Sequence, residues 1–585
     1  MKLLSWHRSV AQTLIIFISG FLAFAPLSAC GGGGGSTVTP PPPPPPPPPA
    51  QISKAFKTAE STSSFLAKAT FGATKAQIDS LKGTAVSDWL LGQFNHSPTL
   101  YLDRVLALLR ALPRDEMLFG DSLTNMYIDD AIASDDQLRL RMVLALSEII
   151  VTSLNSDLDN YPDAMAYYVD ILSRNAFGNY RDILKEITYS PAMGFYLTYL
   201  ANEKGDPDSG RMPDENYARE LLQLFTIGLN ELNMDGTEKT DAQGKPIEIY
   251  DNTDITGLAK VFTGLSTQNS DFYDVLNDES SVHKPMVAYA DFHSELEKTF
   301  LGKTIPAGTS ADESIEQALD IIFNHPNVAP FISKQLIQRF VTSNPKPAYV
   351  QRVANVFESG TYKLPNGTTV GAGKRGDLKA TIAAILLDDE ALQTRAEQPD
   401  DFGKIREPFI RFVNWARAFK ETDPDTADEY FLEDASFGLA QHPFRSRSVF
   451  NFFRPGYVAP GTETGAAGLV APELQITNES SVINYINYMN AFIYNFSPTI
   501  SEDPDNGVNA DYSDVLALAD DADKLVDYLN LVLAAGNLTA TTKSRIKLLL
   551  AEVPISTGAP DEDKLSRVFL AVTMVMSAPG YIVQR

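Results

Sequence analysis

The best-defined polar element of the sequence is a predicted helix from Glu215 to Ile227. At 100° per residue, the face opposite its apolar side carries Asn216, Glu220 and Gln223, with Arg219 at the edge. A carboxylate flanked by amides and an arginine could orient a sugar or assist proton transfer. The same pattern also fits a solvent-exposed face on which Glu215 and Arg219 pair at i,i+4 spacing. The spacing places no second carboxylate beside Glu220, and this favours the exposed face.

Histidine, the usual side chain for proton transfer near neutral pH, is scarce in this chain. Beyond the first 29 residues it occurs only at His96, His283, His293, His325 and His442. No two of these have the i,i+4 or His-x-His spacing of a metal site, so the spacing predicts no metal site. His293 has Asp291 and Glu295 close by in the sequence and is the best candidate for proton transfer or metal binding. Glu220 and His293 are therefore the candidate catalytic residues of a hypothetical hydrolase.

The densest unusual chemistry lies between Phe444 and Tyr457, where three arginines and five aromatic residues share fourteen positions. The arginines are Arg445, Arg447 and Arg454. Guanidinium groups bind carboxylates or sulfates, and aromatic faces accept sugar rings or peptide side chains. The segment therefore predicts a binding surface. An equally good interpretation is that the arginines neutralise acidic residues inside the protein while the phenylalanines fill its core.

Composition excludes several classes of function. The formal charge of −26 makes the chain a poor partner for nucleic acid, since phosphate contacts need a basic surface. The sequence has no phosphate-binding loop and no Gly-x-Ser-x-Gly motif, so it indicates neither nucleotide binding nor a serine hydrolase, and it identifies no cofactor. Cys30 is the only cysteine, which rules out internal disulfides and thiolate metal sites.

The elements that must position these residues are mostly helices, because apolar residues recur at helical spacing. A buried helix is predicted at Gln137–Val151, which is apolar nearly all round apart from the charged residues Arg139, Arg141 and Glu148. Further helices are predicted at Ala164–Arg174, Tyr180–Thr188, Ile315–Phe323, Ala329–Val341, Leu378–Leu387 and Leu565–Met576.

Strand signals are few. The clearest is a small β-hairpin or hairpin-like insertion, built from Leu229–Leu232, the turn Asn233–Gly236 and Ile247–Tyr250. The expected fold is therefore mainly α, a large multi-helical domain with a minor β-hairpin.

Cys30 stands where a bacterial lipid anchor would be attached. A basic start, an apolar stretch and the ending Leu27-Ser28-Ala29-Cys30 are typical of a secretory signal, and the ending resembles the lipobox of bacterial lipoproteins. The apolar stretch is also close to the shortest length that spans a bilayer, so a transmembrane anchor is the alternative. The cysteine after Leu-Ser-Ala, with no basic residues directly behind it, favours cleavage. Gly31 rather than Asp follows it, which favours the outer membrane.

Three regions are expected along the chain: a lipoprotein signal peptide at residues 1–29, a lipid-anchored Gly/Pro-rich spacer at 30–50 and a single helical body at 51–585. The spacer contains the glycines 31–35 and the prolines 40–49. A polyproline II rod of that length spans about 31 Å, at ~3.1 Å per residue. The body would thus be held off the membrane within the cell envelope, periplasmic or surface-exposed.

Ordered motifs along the body resemble those of one bacterial family. They are Phe65–Gly72, Ala176–Arg181, Ser190–Met193, Glu215–Leu222, Val261–Gly264, His325–Val328, Arg375–Lys379 and Gly403–Pro408. Together they are similar to the bacterial domain-of-unknown-function 1800 family, from about Ser64 to Gln584. The resemblance implies an exported protein and supplies no established reaction. Members are often encoded beside a secreted, sulfatase-like family, domain of unknown function 1501, which implies a protein partner by analogy.

Two functions of different class are expected from these observations. The first is a surface-anchored binding or assembly protein for a secreted protein partner or an extracellular polymer. The alternative is an envelope-polymer hydrolase that uses Glu220 and His293 as acid–base residues. The first is preferred, with Asn216, Arg219, Gln223 and the three arginines of 444–457 as candidate binding residues and the acyl chain on Cys30 as the membrane contact.

Overall fold

Most of the chain is helical, as the spacing of its apolar residues predicts, and its β-structure is confined to short antiparallel pairs. The structure, a computed structural model, describes residues 55–113, 116–269, 271–275, 281–419, 430, 432–433, 438–494, 510–555 and 559–585. These residues belong to one compact unit. Cys30, the predicted signal peptide and the predicted spacer lie outside the described residues.

The helices follow one another with connections that range from a few residues to about fifty. The first twelve are α1 Ala59–Ala69, α2 Lys75–Leu81, α3 Val86–Asn95, α4 Leu102–Ala111, α5 Asp121–Ala133, α6 Gln137–Ser147, α7 Pro162–Asn175, α8 Tyr180–Thr188, α9 Pro191–Tyr196, α10 Asn216–Gln223, α11 Asn252–Ala259 and α12 Ala311–Phe323. The others in the described part are α13 Val328–Phe340, α14 Pro347–Ser359, α15 Leu378–Leu386, α16 Asp389–Leu392, α17 Pro408–Phe419, α18 Glu463–Ala466, α19 Glu479–Ile493, α20 Ser513–Leu516, α21 Ala522–Val532, α22 Ala540–Ala551, α23 Asp561–Met576 and α24 Pro579–Ile582. The mainly α prediction is confirmed.

In the described ranges, consecutive strands form four two-stranded antiparallel sheets. The strands are β1 Leu265–Ser266, β2 Val287–Ala288, β3 Lys298–Phe300, β4 Lys303–Ile305, β5 Tyr362–Lys363, β6 Thr369–Val370, β7 Lys404–Ile405 and β8 Val583–Gln584. The sequence did not indicate these pairs because each strand is only two or three residues long. Such short strands show no period-2 pattern.

The predicted hairpin-like insertion is present as a small meander of isolated bridges. Its three extended segments are joined at Asn230–Glu248, Leu232–Glu238 and Thr240–Pro246. Gly236 closes the predicted first turn with a φ of 74°, a backbone conformation that favours glycine. The Gly236 N–H donates to the Asn233 carbonyl at 2.9 Å. The insertion leads directly into α11.

Helix α6 is the central element of the body. All its residues are buried, and it packs against α1, α3, α5, α7 and α13. A helix that is apolar nearly all round is stable only when other elements surround it, as here. It ends at Ser147, four residues before the predicted end, because Ile149 N–H bonds to the Leu146 carbonyl and tightens the last turn. Glu148 directly follows α6 and therefore lies in a turn rather than in a regular helix.

The C-terminal strand β8 pairs with β7 deep in the chain. Ile405 is opposite Val583, and Lys404 is opposite Gln584. The side chain of Gln584 donates to the Phe340 carbonyl at the end of α13, at 2.7 Å. This pairing fixes Lys404 between α13 and α17, where it is fully buried.

Helix α11 packs closely against β3 at Gly257. A Cβ atom at Gly257 would lie 1.8 Å from the Thr299 carbonyl oxygen, so Gly257→Ala must push α11 away from β3. Overpacking of this kind costs about 1–3 kcal/mol of unfolding free energy. Denaturant unfolding followed by circular dichroism measures that loss.

Gly92→Ala is the matched control for Gly257→Ala. Gly92 is also inside a helix, α3, and a Cβ atom there would meet no other heavy atom within 4 Å. Alanine should therefore raise the unfolding free energy by about 0.5–1 kcal/mol. Equal effects of the two substitutions would contradict the close contact between α11 and β3.

Candidate functional site

Seven buried side chains meet inside the body in what we call the core ionic cluster. Its members are Arg141, Glu148, Arg339, Lys404, Glu407, Gln441 and Glu473. Lys404 Nζ lies 3.3 Å from Glu407 Oε1 and 3.2 Å from Glu473 Oε1. Arg339 Nε lies 3.2 Å from Glu148 Oε2. The cluster thus brings together three basic side chains and three carboxyl groups with almost no exposed surface.

The C-terminal end of α13 anchors the basic half of the cluster. Arg141 Nη2 donates to the Arg339 carbonyl oxygen at 2.6 Å, and Lys404 Nζ donates to the same oxygen at 2.9 Å. The last carbonyl groups of a helix lack intrahelical partners and carry partial negative charge, so cations are stabilised there. Arg141 Nη2 also lies 3.9 Å from Glu407 Oε1. These contacts tie α6, α13 and β7 to the start of α17.

Gln441 joins the two central carboxyl groups. Its Nε2 donates to Glu407 Oε2 at 2.8 Å and lies 3.4 Å from Glu148 Oε1. Its Oε1 accepts from the backbone N–H of Phe409 in the first turn of α17 at 3.1 Å. One amide therefore links the loop before Phe444 to α6 and to α17.

The pKa values of Glu148 and Glu407, the two carboxyl groups that Gln441 contacts, are shifted in opposite directions. Burial, together with the negative charge of Glu407, raises the pKa of Glu148 well above its ordinary value. Burial also disfavours ionised Glu407, but the positive charges of Lys404 and Arg141 outweigh it and lower the pKa of Glu407 to about 2. The opposite directions of these pKa shifts favour Glu407 as the anion of the pair and Glu148 as the carboxyl group that keeps a proton more readily.

A small cavity lies beside this pair. Its lining consists of Leu144, Ser147, Glu148, Thr152, Phe409, Gln441, Pro443, Phe444, Ser446, Asn451 and Phe452. It has about 10 Å³ available to the centre of a water molecule, which is room for about one water-sized group. Five of its lining residues come from the segment between Pro443 and Phe452, so the arginine-rich segment forms one wall of the cavity.

The arginines of this segment divide between the two roles that the sequence left open. Arg445 is buried and bonds Asp121 at 2.7 Å and Asp159 at 2.6 Å, so it neutralises internal carboxylates. Arg447 and Arg454 are exposed, and the Arg454 guanidinium lies 4.7 Å from the ring centre of Phe450. In the part of the chain that the structure describes, neither exposed arginine forms an ion pair within 4.0 Å, and the charge of Arg447 acts on the half-buried Glu433.

Helix α10 carries the candidate residues of the polar face. Arg219 and Glu215 pair at 3.2 Å, the i,i+4 contact that the spacing allows. Asn216 and Gln223 are half-buried. Glu220 is buried, with 6% of its surface exposed, so the solvent-exposed face that the sequence favoured is wrong for this residue. Burial raises the pKa of Glu220, its Oε2 has no hydrogen-bond partner, and its charge helps to raise the pKa of the nearby Tyr250.

His293 is buried and contacts Thr263, which lies 30 residues earlier in the chain. Its Nδ1 lies 2.8 Å from the Thr263 carbonyl oxygen, to which it donates, and its Nε2 lies 3.5 Å from Ser314 Oγ. Burial lowers the pKa of His293, so the neutral ring is favoured. Both ring nitrogens therefore have protein neighbours.

The candidate residues do not share one set of contacts. Among the described residues, Glu220, His293 and Arg445 have no hydrogen-bond or ion-pair partner in common. Within the same ranges, no three His, Cys, Asp or Glu side chains are grouped as a metal ion requires. No helix of the described chain is long and apolar enough to cross a bilayer.

The core ionic cluster was not identified as a site from the sequence. Two signals were available: Arg141 and Glu148 interrupt an apolar helix, and Lys404 and Glu407 stand in the motif Gly403–Pro408. A charged side chain on an otherwise apolar face must be paired when it is buried. Spacing alone gives no means of finding partners that come from other helices.

The opposite pKa shifts predict different pH profiles for two isosteric variants. Because the folded pKa of Glu148 is raised, its contribution to stability is present below the unfolded pKa of about 4.3 and is lost as pH rises. Glu148→Gln removes that dependence. As pH rises above 5, the unfolding free energy of the variant should therefore increase relative to that of the wild type, by up to about 1.4 kcal/mol per pH unit. Denaturant unfolding between pH 5 and 8 measures the difference.

Glu407→Gln should behave in the opposite way. Its lowered pKa stabilises the fold above the unfolded value, and that contribution is lost as pH falls towards about 2. Removing one partner of a buried ion pair costs about 3–5 kcal/mol, so Glu407→Gln should be much less stable than Glu148→Gln at pH 7. Equal stability of the two variants would contradict the assigned proton.

Comparisons with known proteins place the chain in a family. A family model described as "Protein of unknown function (DUF1800)" matches residues 64–583. Searches of curated proteins and of solved structures gave no match. The match covers nearly all of the helical body, including the core ionic cluster and the arginine-rich segment. The chain therefore belongs to the DUF1800 family of proteins of unknown function.

Proposed function

We propose that the protein is an exported cell-envelope lipoprotein that binds a partner outside the inner membrane. The support for the anchor is the ending Leu27-Ser28-Ala29-Cys30, followed by the glycine and proline runs. An acyl chain on Cys30 would hold the protein at the outer membrane, and the spacer would give the body reach. The body then acts as a tethered binding or assembly protein.

The observation that carries the binding role is a surface that we call the arginine face, formed by Arg447, Phe450 and Arg454. Neither of its two arginines has a carboxylate oxygen within 4.0 Å among the described residues, although the charge of Arg447 acts on Glu433 and the chain has a net charge of −26. Phe450 is 37% exposed and is held beneath the Arg454 guanidinium. A free guanidinium on an aromatic ring is suited to a carboxylate or sulfate group.

The buried neighbours of the arginine face give it a fixed geometry. Arg445 is tied to Asp121 and Asp159. The Leu154 N–H donates to the Phe444 carbonyl at 2.8 Å, and Ser153 Oγ donates to the Ser446 carbonyl at 2.6 Å. A preorganised face loses less conformational entropy on binding than a free loop does.

The proposed partner is a secreted protein that presents carboxylate groups. The resemblance to the domain-of-unknown-function 1800 family suggests a sulfatase-like protein of the domain-of-unknown-function 1501 family, and an anionic extracellular polymer is the other source of such groups. The hydrolase alternative receives less support, because both ring nitrogens of His293 have protein neighbours.

The arginine face is tested by co-expressing the protein with a secreted domain-of-unknown-function 1501 protein and measuring co-purification. Arg447→Ala with Arg454→Ala should lose about tenfold or more in affinity, since each charge-assisted hydrogen bond contributes about 1.5–3 kcal/mol. Arg445 is left intact because it stabilises the fold.

The matched control is Arg110→Ala with Arg395→Ala. These arginines are also exposed and form no ion pair in the described chain, but they lie outside the arginine face. The control should bind like the wild type. Undiminished binding by Arg447→Ala with Arg454→Ala would contradict the proposed role of the face.

The anchor is tested separately with Cys30→Ala in a Gram-negative host. Without the thiol, no thioether to a lipid can form, so incorporation of labelled palmitate should be lost. The protein should also move from the outer-membrane fraction to the soluble or uncleaved fraction. Palmitate labelling that persists in Cys30→Ala would refute the lipoprotein assignment.

A further inference from the structure

Lys68 is a buried lysine without a counter-ion. It lies on α1, is 3% exposed and forms no ion pair with the residues that the structure describes. The neighbours of its Nζ are Ser64 Oγ at 3.3 Å and the Ala391 carbonyl oxygen at 3.0 Å. Lysine is almost never fully buried unless it is paired, because desolvation disfavours the ammonium ion. The surroundings of Lys68 therefore favour the neutral amine.

The basicity of this amine suits proton transfer near neutral pH. Burial lowers the pKa of Lys68 to about 8, and no charged side chain in the described ranges contributes to the shift. An ordinary lysine titrates near pH ~10.4 and is almost fully protonated at neutral pH, so it cannot accept a proton there. Burial is the means by which enzymes bring a lysine base into the working range of about 7–8.

The two neighbours of Lys68 Nζ match a neutral amine. One N–H can donate to the Ala391 carbonyl, and the lone pair is then left for the Ser64 hydroxyl. Ser64 and Lys68 are four residues apart on α1, so the helix holds both side chains on one face. The other acceptor near the Ser64 hydroxyl is the main-chain oxygen of Arg585, at 3.5 Å. Lys68 is thus the nearer acceptor for the Ser64 proton.

The serine end of the pair is more accessible than the lysine end. Ser64 is half-buried, whereas Lys68 is screened from water. Arg585, whose main-chain oxygen neighbours Ser64, leaves its Nη1 buried without a hydrogen-bond partner. A guanidinium donor of this kind can stabilise the negative charge that develops on an attacked carbonyl oxygen.

We propose that Ser64 and Lys68 form a serine–lysine pair that cleaves carboxylic esters through an acyl-enzyme. Lys68 Nζ takes the hydroxyl proton as Ser64 Oγ attacks the ester carbonyl carbon. The bond from that carbon to the alkoxy oxygen breaks, and the alcohol leaves with the proton from Lys68. Water then attacks the acyl group in the same way. The proton that Lys68 takes from water passes to Ser64 Oγ, which releases the carboxylic acid and restores both residues.

This activity is independent of the proposed partner binding. Neither residue belongs to the arginine face or to the core ionic cluster, so failure of one proposal leaves the other intact. The sequence lacks the Gly-x-Ser-x-Gly motif. That motif builds a turn between a strand and a helix, which a serine and a lysine on one helix do not need.

The test is acylation of the full-length protein in detergent micelles by p-nitrophenyl acetate. After an acid quench, mass spectrometry of proteolytic peptides should locate an acetyl group on Ser64. The rate should rise about tenfold per pH unit at low pH and level off above about pH 8, as neutral Lys68 becomes the main form. Equal rates at pH 6 and pH 8, or an acetyl group on Lys68 and none on Ser64, would overturn the proposal.

Two variants separate the nucleophile from the base. Ser64→Ala suits a helix and should abolish the release of p-nitrophenol above the uncatalysed rate. Lys68→Arg keeps a donor for the Ala391 carbonyl but stays protonated, so acylation should fall at least about 100-fold. Melting temperatures check that both variants fold. Lys75→Arg with Ser80→Ala, on the neighbouring helix α2, is the matched control and should be acylated like the wild type.

The opposing explanation is that Lys68 is an ammonium ion that only stabilises the carbonyl groups at the end of α16, to which Ala391 belongs. In that case Ser64 receives no acetyl group at any pH, and the proposal is refuted. A folded Lys68→Arg variant that is acylated on Ser64 as fast as the wild type would refute it equally.

Discussion

The buried carboxylate of Glu407 is the contact on which the rest of the body depends. It is the permanent anion between Lys404, Arg141 and Gln441, and it stands at the start of α17. Desolvating a charge is expensive, so this arrangement is stable only because every neighbour supplies a positive charge or a hydrogen bond. The contacts join α6, α13, β7 and α17, elements that are far apart in the sequence, and they explain why an acidic chain without disulfides forms one large core.

The arginine-rich segment is positioned by the same cluster. Gln441, just before the segment, contacts Glu407, and Arg445 near its start is bound to Asp121 and Asp159. The backbone takes unfavourable φ angles at Phe444 and Asn451, on either side of Arg445, and the segment forms a wall of the cavity. The inner side of the segment thus serves the core, while the arginine face is directed to solvent. A single segment thus supplies both the proposed partner surface and one wall of the cavity.

The sequence predicted the helices well because their apolar spacing is a local property. The ends of α8 were predicted to the residue, and α6 was recognised as a buried helix. The role of Arg445 could not be decided in advance, because its partners Asp121 and Asp159 come from distant parts of the chain. Glu220 was placed on the exposed side for a similar reason: helical spacing shows which residues share a face, but not whether another element, here the region of Tyr250, covers it.

The central claim is that burial, together with the negative charge of Glu407, raises the pKa of Glu148, so that Glu407 is the anion of the pair. Infrared difference spectroscopy at pH 7 tests this directly, since a protonated carboxyl group has a carbonyl stretch that an ionised one lacks. The wild-type spectrum minus that of Glu148→Gln should show a positive carboxylic acid band that shifts in heavy water. A difference spectrum that shows only carboxylate bands would contradict the account.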